Sequence, residues 1–408
     1  MMLRLAIPVP AATRAEALFL RLLRESVAYG SLRLRSDGGE ARVGQGAPEV
    51  VLRVHRRRLF ARVLALGSLG LGEAYMDGDF TVEAGELHQL IEILLRARVA
   101  ERLRQDPRLY VEVGLMRAAA LVRGAWGNVQ HHYDAGDELF EAFLDPTLTY
   151  SCGYARAPDD DLTALQQQKL ARICQKLRLD QGERLLDIGC GFGGLIIYAA
   201  QNFGIVGTGI TVSRRHCERA RQQVREAGVA DRVTIELRDH TSLGRAQPAA
   251  TFDKIVSVGM MEHLQPRDYP PFVHAIKQAL APGGMGLLHT IGCQAPHNHH
   301  DPFIQKYIFP GSNLPRLSEI TGELERQRLP IIDVENLIRH YALTLDGWLK
   351  NFRMNRARLD RTRYPDRFQL MWEFYLSLAR AAAMAADVAL YQVLFTDDVA
   401  APLPLHRV

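Results

Sequence analysis

The chain has 408 residues, 47% of them apolar and 24% charged, with a formal net charge of +4. This ordinary globular composition excludes a disordered, collagenous or disulfide-stapled chain and predicts two or three domains at ~150 residues each. With no stretch near ~18 consecutive apolar residues, no transmembrane helix is expected.

The opening apolar stretch is short and interrupted by Pro8 and Pro10, so no signal peptide is expected. Residues 1–125 hold 19 arginines, no lysine and 14 acidic residues, a net of +5, which leaves −1 for the rest. The densest run is His55-Arg56-Arg57-Arg58, with further arginines at 96, 98, 102 and 104. It reads either as a solvated surface with its own counter-charges or as a face for membrane headgroups or nucleic acid. No helix-turn-helix, zinc-finger or RNP signature supports nucleic acid, so no nucleic-acid partner is expected. Val50–Val54 reads as a strand, Gly67–Gly72 as a glycine-rich turn leading into Glu73–Phe80, and Leu87–Arg98 as a helix. Residues 102–127 read as a helical linker. The cysteines (Cys152, Cys174, Cys190, Cys217, Cys293) are odd in number and form no CxxC pair, which predicts a reduced cytoplasmic setting and no structural zinc.

Beyond residue 160 the pattern is regular. Residues 163–178 form an amphipathic helix, with Leu170, Ile173, Cys174 and Leu177 on one face. Strands are expected at 184–188, 205–210, 233–237, 254–258 and 285–291, with helices to about 203, over 214–227 and over about 268–280. Two further strands are expected at 331–336 and 388–396. Such alternation predicts an α/β fold, a doubly wound and mostly parallel sheet. The segments 292–329 and 341–385 are too long for tight connections and are candidates to cover a site.

Asp187-Ile188-Gly189-Cys190-Gly191-Phe192-Gly193-Gly194 closes one strand and opens a helix, the setting in which a backbone admits a nucleotide-like ligand. Its spelling fits both nicotinamide and S-adenosylmethionine binding. The next strand ends Gly209-Ile210-Thr211-Val212-Ser213 without the carboxylate that a dinucleotide site usually carries, which counts against NAD.

Residues 128–136 (NVQHHYDAG), 144–154 (LDPTLTYSCGY), Leu186–Gly194, Gly259-Met260-Met261-Glu262-His263, Leu287–Gly292 and Lys306-Tyr307-Ile308-Phe309-Pro310 resemble, in this order, the cyclopropane-fatty-acyl-phospholipid synthases. The resemblance runs from about 128 to 396; the first third is similar only in size and position to the family's smaller domain. It implies a seven-stranded class I methyltransferase sheet over 151–408, a linker and covering helices over 116–150, and a small α+β lipid- or membrane-binding domain over 1–115. It implies transfer of a methylene group from S-adenosylmethionine to the cis double bond of a phospholipid acyl group, closing a cyclopropane ring, with bound bicarbonate as base. The bicarbonate ligands carry over to Cys152, Glu262, His289, the backbone of Ile291, and Tyr341. Cofactor contacts carry over to Tyr150, Ser151, Gly189, Gly191, Thr211 and Gly259, with Asp187 and Gly193 in the same loop and Asp239 after the third strand. Two positions depart from the family: His216 replaces a frequent glutamine, and His240 a usual aromatic residue. A homodimer and a cytoplasmic location against the inner face of the membrane are also implied.

This chemistry explains the residue types. An isolated alkene attacks only a strong methyl donor held in line. The carbocation it leaves requires a dry pocket, and ring closure requires a base beside the new methyl group. An anion serves as that base and offsets the positive charge; beside Glu262 it requires a shared proton. Each residue also has an ordinary reading: Cys152 as buried filler, Glu262 as a helix-start carboxylate, His289 and Tyr341 as core residues. The cluster His297-Asn298-His299-His300-Asp301 lacks the spacing of a known metal site and reads as a solvated loop, with a zinc or iron site as the alternative. Met371–Leu376 reads as core packing or as a wall for an acyl group. The alternatives are a methyltransferase that alkylates a lipid acyl group and leaves a methyl-branched or methylene product without a ring, a methyltransferase for a small oxygen or nitrogen nucleophile, and an inactive binding module.

Overall fold

The computed structural model describes residues 11–99, 113–114, 136–243, 251–294, 301–385, 388–398 and 400. The run 128–134, nearly all of the linker 102–127 and the histidines at 297, 299 and 300 lie outside the described residues. The chain divides into two compact units. The first joins residues 1–134 to two later segments, 301–310 and 356–386; the second holds 135–300, 311–355 and 387–408. This differs from the consecutive stretches 1–115, 116–150 and 151–408, and both expected covering segments are split between the units.

In the first unit, β1 (Ser31–Ser36), β2 (Gly39–Gly44), β3 (Glu49–Val54) and β4 (Phe80–Ala84) form one sheet in the order β2-β1-β3-β4. β1 and β2 make a hairpin, β3 runs parallel to β1, and β4 antiparallel to β3. Residues 68–76 form a helix rather than the expected turn. Its glycines mark close approach: a Cβ on Gly70 would sit 2.1 Å from the Arg62 carbonyl oxygen, and one on Gly72 2.4 Å from the Phe303 ring. The long helix Asp366–Ala385 carries Met371–Leu376 into this unit's core, where Phe374 lies 4.6 Å from Phe303 and 6.1 Å from Tyr75 between ring centroids. The basic run has its own counter-charges. Fully buried Asp79 engages Arg56 at 3.3 Å, Arg58 at 2.8 Å and Arg62 at 2.9 Å, while Arg57 pairs with Glu16 at 3.4 Å.

The second unit contains all seven expected strands: β5 (Arg184–Ile188), β6 (Val206–Thr211), β7 (Val233–Leu237), β8 (Phe252–Val258), β9 (Leu280–Cys293), β10 (Ile331–Asn336) and β11 (Val388–Thr396). Their order is β10-β11-β9-β8-β5-β6-β7. β5 through β9 pair in parallel, and β11 runs antiparallel to both of its neighbours. β9 starts at Leu280, before Pro282-Gly283-Gly284, and the register against β8 shifts there. Helices Leu162–Lys176, Gly194–Phe203, Arg214–Glu226 and Tyr269–Ala279 alternate with the parallel strands and close two apolar clusters on the sheet. Each fully buried Leu, Ile or Phe there contributes about 1.5–3 kcal/mol of transfer free energy. Among the described residues, no helix is long and apolar enough to cross a membrane.

Candidate active site

The parallel strands of the second unit end along one edge, the edge at which open α/β sheets bind ligands. The glycine loop leaves β5 there. Gly189 (φ 83°) and Gly191 (φ 54°) take left-handed backbone that other residues rarely adopt. The Gly189 and Cys190 N–H groups donate to the Ile210 carbonyl at 2.9 and 3.0 Å, tying the loop to β6. A Cβ on Gly191 would meet nothing within 4 Å, so the loop leaves its backbone open to a ligand, as S-adenosylmethionine requires. Gly193, also left-handed (φ 87°), caps the helix that follows.

The other expected cofactor residues line the same edge. Thr211 ends β6, and Ser213 caps the next helix by accepting from the His216 N–H at 3.3 Å. A series of rings links Tyr150 to Phe140 (5.6 Å), Phe140 to Phe192 (5.8 Å) and Phe192 to His216 (4.6 Å), which gathers the two expected residues around the loop's own aromatic. Burial, and then the neighbouring Arg215, push the His216 imidazole below its ordinary pKa, so it serves as a neutral ring. Asp239 and His240 follow β7. Asp239 accepts from the Thr241 N–H at 2.7 Å, and His240 stands edge-on to Phe272 at 5.4 Å.

Asp187 and Ser151 meet a residue that sequence reading missed. Lys169, 2% exposed, donates to the Ser151 hydroxyl at 3.1 Å. Burial lowers its pKa to about 8 and raises that of Asp187 to about 7, the Lys169 charge acting against the latter shift.

The five residues assigned to the anion fall into two linked groups. Glu262, on the turn Met261–His263, accepts from the Thr290 hydroxyl at 2.6 Å, and its Oε1 lies 3.5 Å from the Ile291 amide nitrogen. His289 precedes them on β9, and its carbonyl accepts from the Gly259 N–H at 2.8 Å. The second group is Cys152 and Tyr341. The Cys152 thiol is 3.0 Å from the Gly153 carbonyl and 3.9 Å from that of Leu337, which also accepts from the Tyr341 N–H at 3.1 Å. Tyr341 lies in the helix Ile338–Asn355, edge-on to Trp348, which in turn lies 5.2 Å from Tyr150. Leu337 joins the groups: its N–H donates to the Leu390 carbonyl at 2.6 Å, and Leu390 is the β11 partner of Ile291.

Burial pushes the Cys152 thiol up to about 12 and the His289 imidazole down to about 3. The site therefore holds a neutral thiol and a neutral imidazole. His289 Nε2 is buried and without a hydrogen-bond partner among the described residues. Such an atom costs ~1–3 kcal/mol unless something binds it. An oxyanion fits this atom if it carries the proton of the neutral ring.

Besides Lys169, sequence reading missed Thr290 and the pair Gln392 and Lys176. Two signals were present. Gln392 interrupts the otherwise apolar run VALYQVLFT, and Gln166, Lys169 and Lys176 recur with Ile173 at core-facing helical spacing.

Comparison with known proteins bears on most of the molecule. The family described as mycolic acid cyclopropane synthetase matches residues 122–393. The chain belongs to this family. The cyclopropane-fatty-acyl-phospholipid synthase of Escherichia coli is 36% identical over 89% of this chain and 92% of its own length. The tuberculostearic acid methyltransferase UfaA1 of Mycobacterium tuberculosis is 32% identical over 94% and 92%. The crystal structure of the mycolic acid cyclopropane synthase CmaA1 complexed with SAH and CTAB is similar with a TM-score of 0.60 and 28% identity, over 66% of this chain and 98% of that one. The resemblance read from the motifs thus holds, and so does the class I methyltransferase fold. This member of the cyclopropane synthetase family is an S-adenosylmethionine-dependent methyltransferase of the cyclopropane-fatty-acyl-phospholipid synthase type.

Proposed function

We propose that the enzyme adds a methylene group from S-adenosylmethionine across the cis double bond of an unsaturated phospholipid acyl group, forming a cyclopropane ring. The observation that carries this reading is the buried Nε2 of His289, without a partner among the described residues and close in sequence to the Glu262–Thr290 pair at the edge where the glycine loop opens. A methyltransferase for an oxygen or nitrogen nucleophile has no need of an anion there.

When bound, S-adenosylmethionine supplies an electrophilic methyl group, and bicarbonate supplies a base and a negative charge beside it. Tyr150, Ser151, Asp187, Gly189, Gly191, Gly193, Thr211, His216, Asp239, His240 and Gly259 are the residues we assign to the cofactor. The His289 Nε2–H, the Ile291 N–H and the Tyr341 hydroxyl are the donors we assign to bicarbonate, with Glu262 sharing a proton with it. Cys152 contributes bulk and an uncharged surface. The buried rings of Phe143, Tyr341 and Trp348, with half-buried Tyr150 against them, exclude water from the neighbourhood of a cation. The acyl group reaches the enzyme from a bilayer surface, and a homodimer in the cytoplasm remains part of this reading.

The test is expression in a bacterium that lacks such an enzyme, followed by fatty-acid analysis and proton magnetic resonance of the product. High-field ring methylene protons support the proposal. A methyl-branched or exomethylene product shows that transfer occurs without ring closure, and an unmodified fatty-acid profile overturns the lipid reading.

A further inference from the structure

Behind His289 the sheet carries a polar row that the chemistry above does not use. Glu335 on β10, Gln392 on β11 and His289 on β9 are successive cross-strand partners, and so lie side by side on one face. Lys176, at the end of the helix Leu162–Lys176 and 2% exposed at its side chain, reaches this row. Its Nζ donates to Glu335 Oε2 at 2.7 Å and to the Gln392 side-chain oxygen at 2.8 Å. Burial draws the Lys176 pKa below its ordinary value, and the Glu335 carboxylate acts against that shift to hold the ammonium form, which has hydrogens to give and no lone pair. The Gln392 atom that it meets is therefore the carbonyl oxygen, and the amide NH2 faces the other way. That NH2 is 3.1 Å from His289 Nδ1. An NH2 group donates, so Nδ1 accepts and carries no proton. The buried ring is uncharged, so its one proton sits on Nε2, the atom without a partner among the described residues.

We propose that Gln392, oriented by Lys176, is a positioning residue that holds His289 in its Nε2–H tautomer, so that the ring presents a donor to the bound anion. This rests on the reading that an oxyanion stands at His289. The same logic orients metal-binding histidines, whose far nitrogen is fixed by an outer partner. Replacing Gln392 by glutamate reverses the polarity: a carboxylate still accepts from Lys176 but can only accept from Nδ1–H.

The test labels the full-length protein with 15N-histidine and reads long-range 15N–1H correlations at neutral pH without bicarbonate. The His289 signal is identified among the 14 histidines by its loss in His289→Gln. The proposal expects Nε2 protonated and Nδ1 bare in the wild type, and Nδ1 protonated in Gln392→Glu. Steady-state rates at varied sodium bicarbonate then expect at least a tenfold higher half-saturating concentration in Gln392→Glu, with KM for S-adenosylmethionine within twofold. An Nδ1–H tautomer in the wild type overturns the proposal without any variant having to fold. So does a Gln392→Glu enzyme with unchanged tautomer and unchanged bicarbonate dependence. A wild-type rate that is indifferent to bicarbonate instead removes the anion reading on which the proposal stands.

Discussion

Thr290 and Glu262 are joined by a buried hydrogen bond of 2.6 Å between the threonine hydroxyl and the carboxylate. One lies on the central part of the sheet and the other on a turn past the neighbouring strand, so the carboxylate is fixed from a second element. Glu262→Gln keeps the shape and removes the charge. Its product formation is expected to fall at least ~100-fold, the usual scale for a general acid–base group. Binding of S-adenosylmethionine, followed by isothermal titration, is expected to change little. Full activity in this variant removes Glu262 from the chemistry.

Gly189 tests the cofactor loop. A Cβ there would lie 3.1 Å from the Met260 side chain, and the residue would be held at φ 83°. Gly189→Ala is expected to cost about 1–2 kcal/mol of backbone strain, lowering the urea midpoint. Titration should also show about tenfold weaker cofactor binding, because the loop must shift.

The pair Asp187 and Lys169 gives the protein a pH signature. Burial, opposed by Lys169, raises the folded pKa of Asp187 to about 7 from 3.8. The fold thus binds this proton more tightly than the unfolded state does. The stabilisation is complete below the unfolded value and is lost as pH rises through about 7. Lys169, depressed to about 8 from 10.5 by burial, acts at the other end: its charged form opposes folding in full below about 8, and the penalty is relieved as pH rises from there through 10.5. The unfolding free energy measured by urea titration from pH 4 to 7 is expected to fall in the wild type relative to Asp187→Asn, by an amount on the order of a few kcal/mol. Parallel curves for the two proteins contradict the assignment.

Cys152 bears on what the base is not. Its thiol, raised to about 12 by burial, holds roughly one thiolate in ten thousand at pH 8. Iodoacetamide at that pH is expected to leave Cys152 unlabelled in the folded protein and to label it in urea, as read by peptide mass spectrometry. Rapid labelling of the native enzyme would mark a reactive cysteine instead.

The sheet was legible because its strands are short apolar runs that alternate with helical periodicity, as in Arg184–Ile188 and Val233–Leu237. The glycine loop was legible because left-handed backbone demands its residues. Residues 68–76 misled for the opposite reason: Gly70 and Gly72 have negative φ and sit in a helix, where they make room for Arg62 and Phe303 from elsewhere in the sequence. Local propensity contains no trace of such a neighbour. The arginine run was equally ambiguous, since Asp77 and Asp79, about twenty residues on, fold back to pair with Arg56 and Arg58. The second layer of the site was hidden because Lys169, Lys176 and Gln392 acquire meaning only when a helix crosses β11 and β9.

The first unit is not a detachable cassette. Phe303 and Phe374, fully buried in it, are encoded long after residue 134. A gene fragment that stops at 134 would leave the seats around Gly72 and Tyr75 bare and sticky, and a graft of that fragment onto another enzyme would not transplant a finished fold. During synthesis this unit must wait, half-clothed, until the ribosome has passed residue 386.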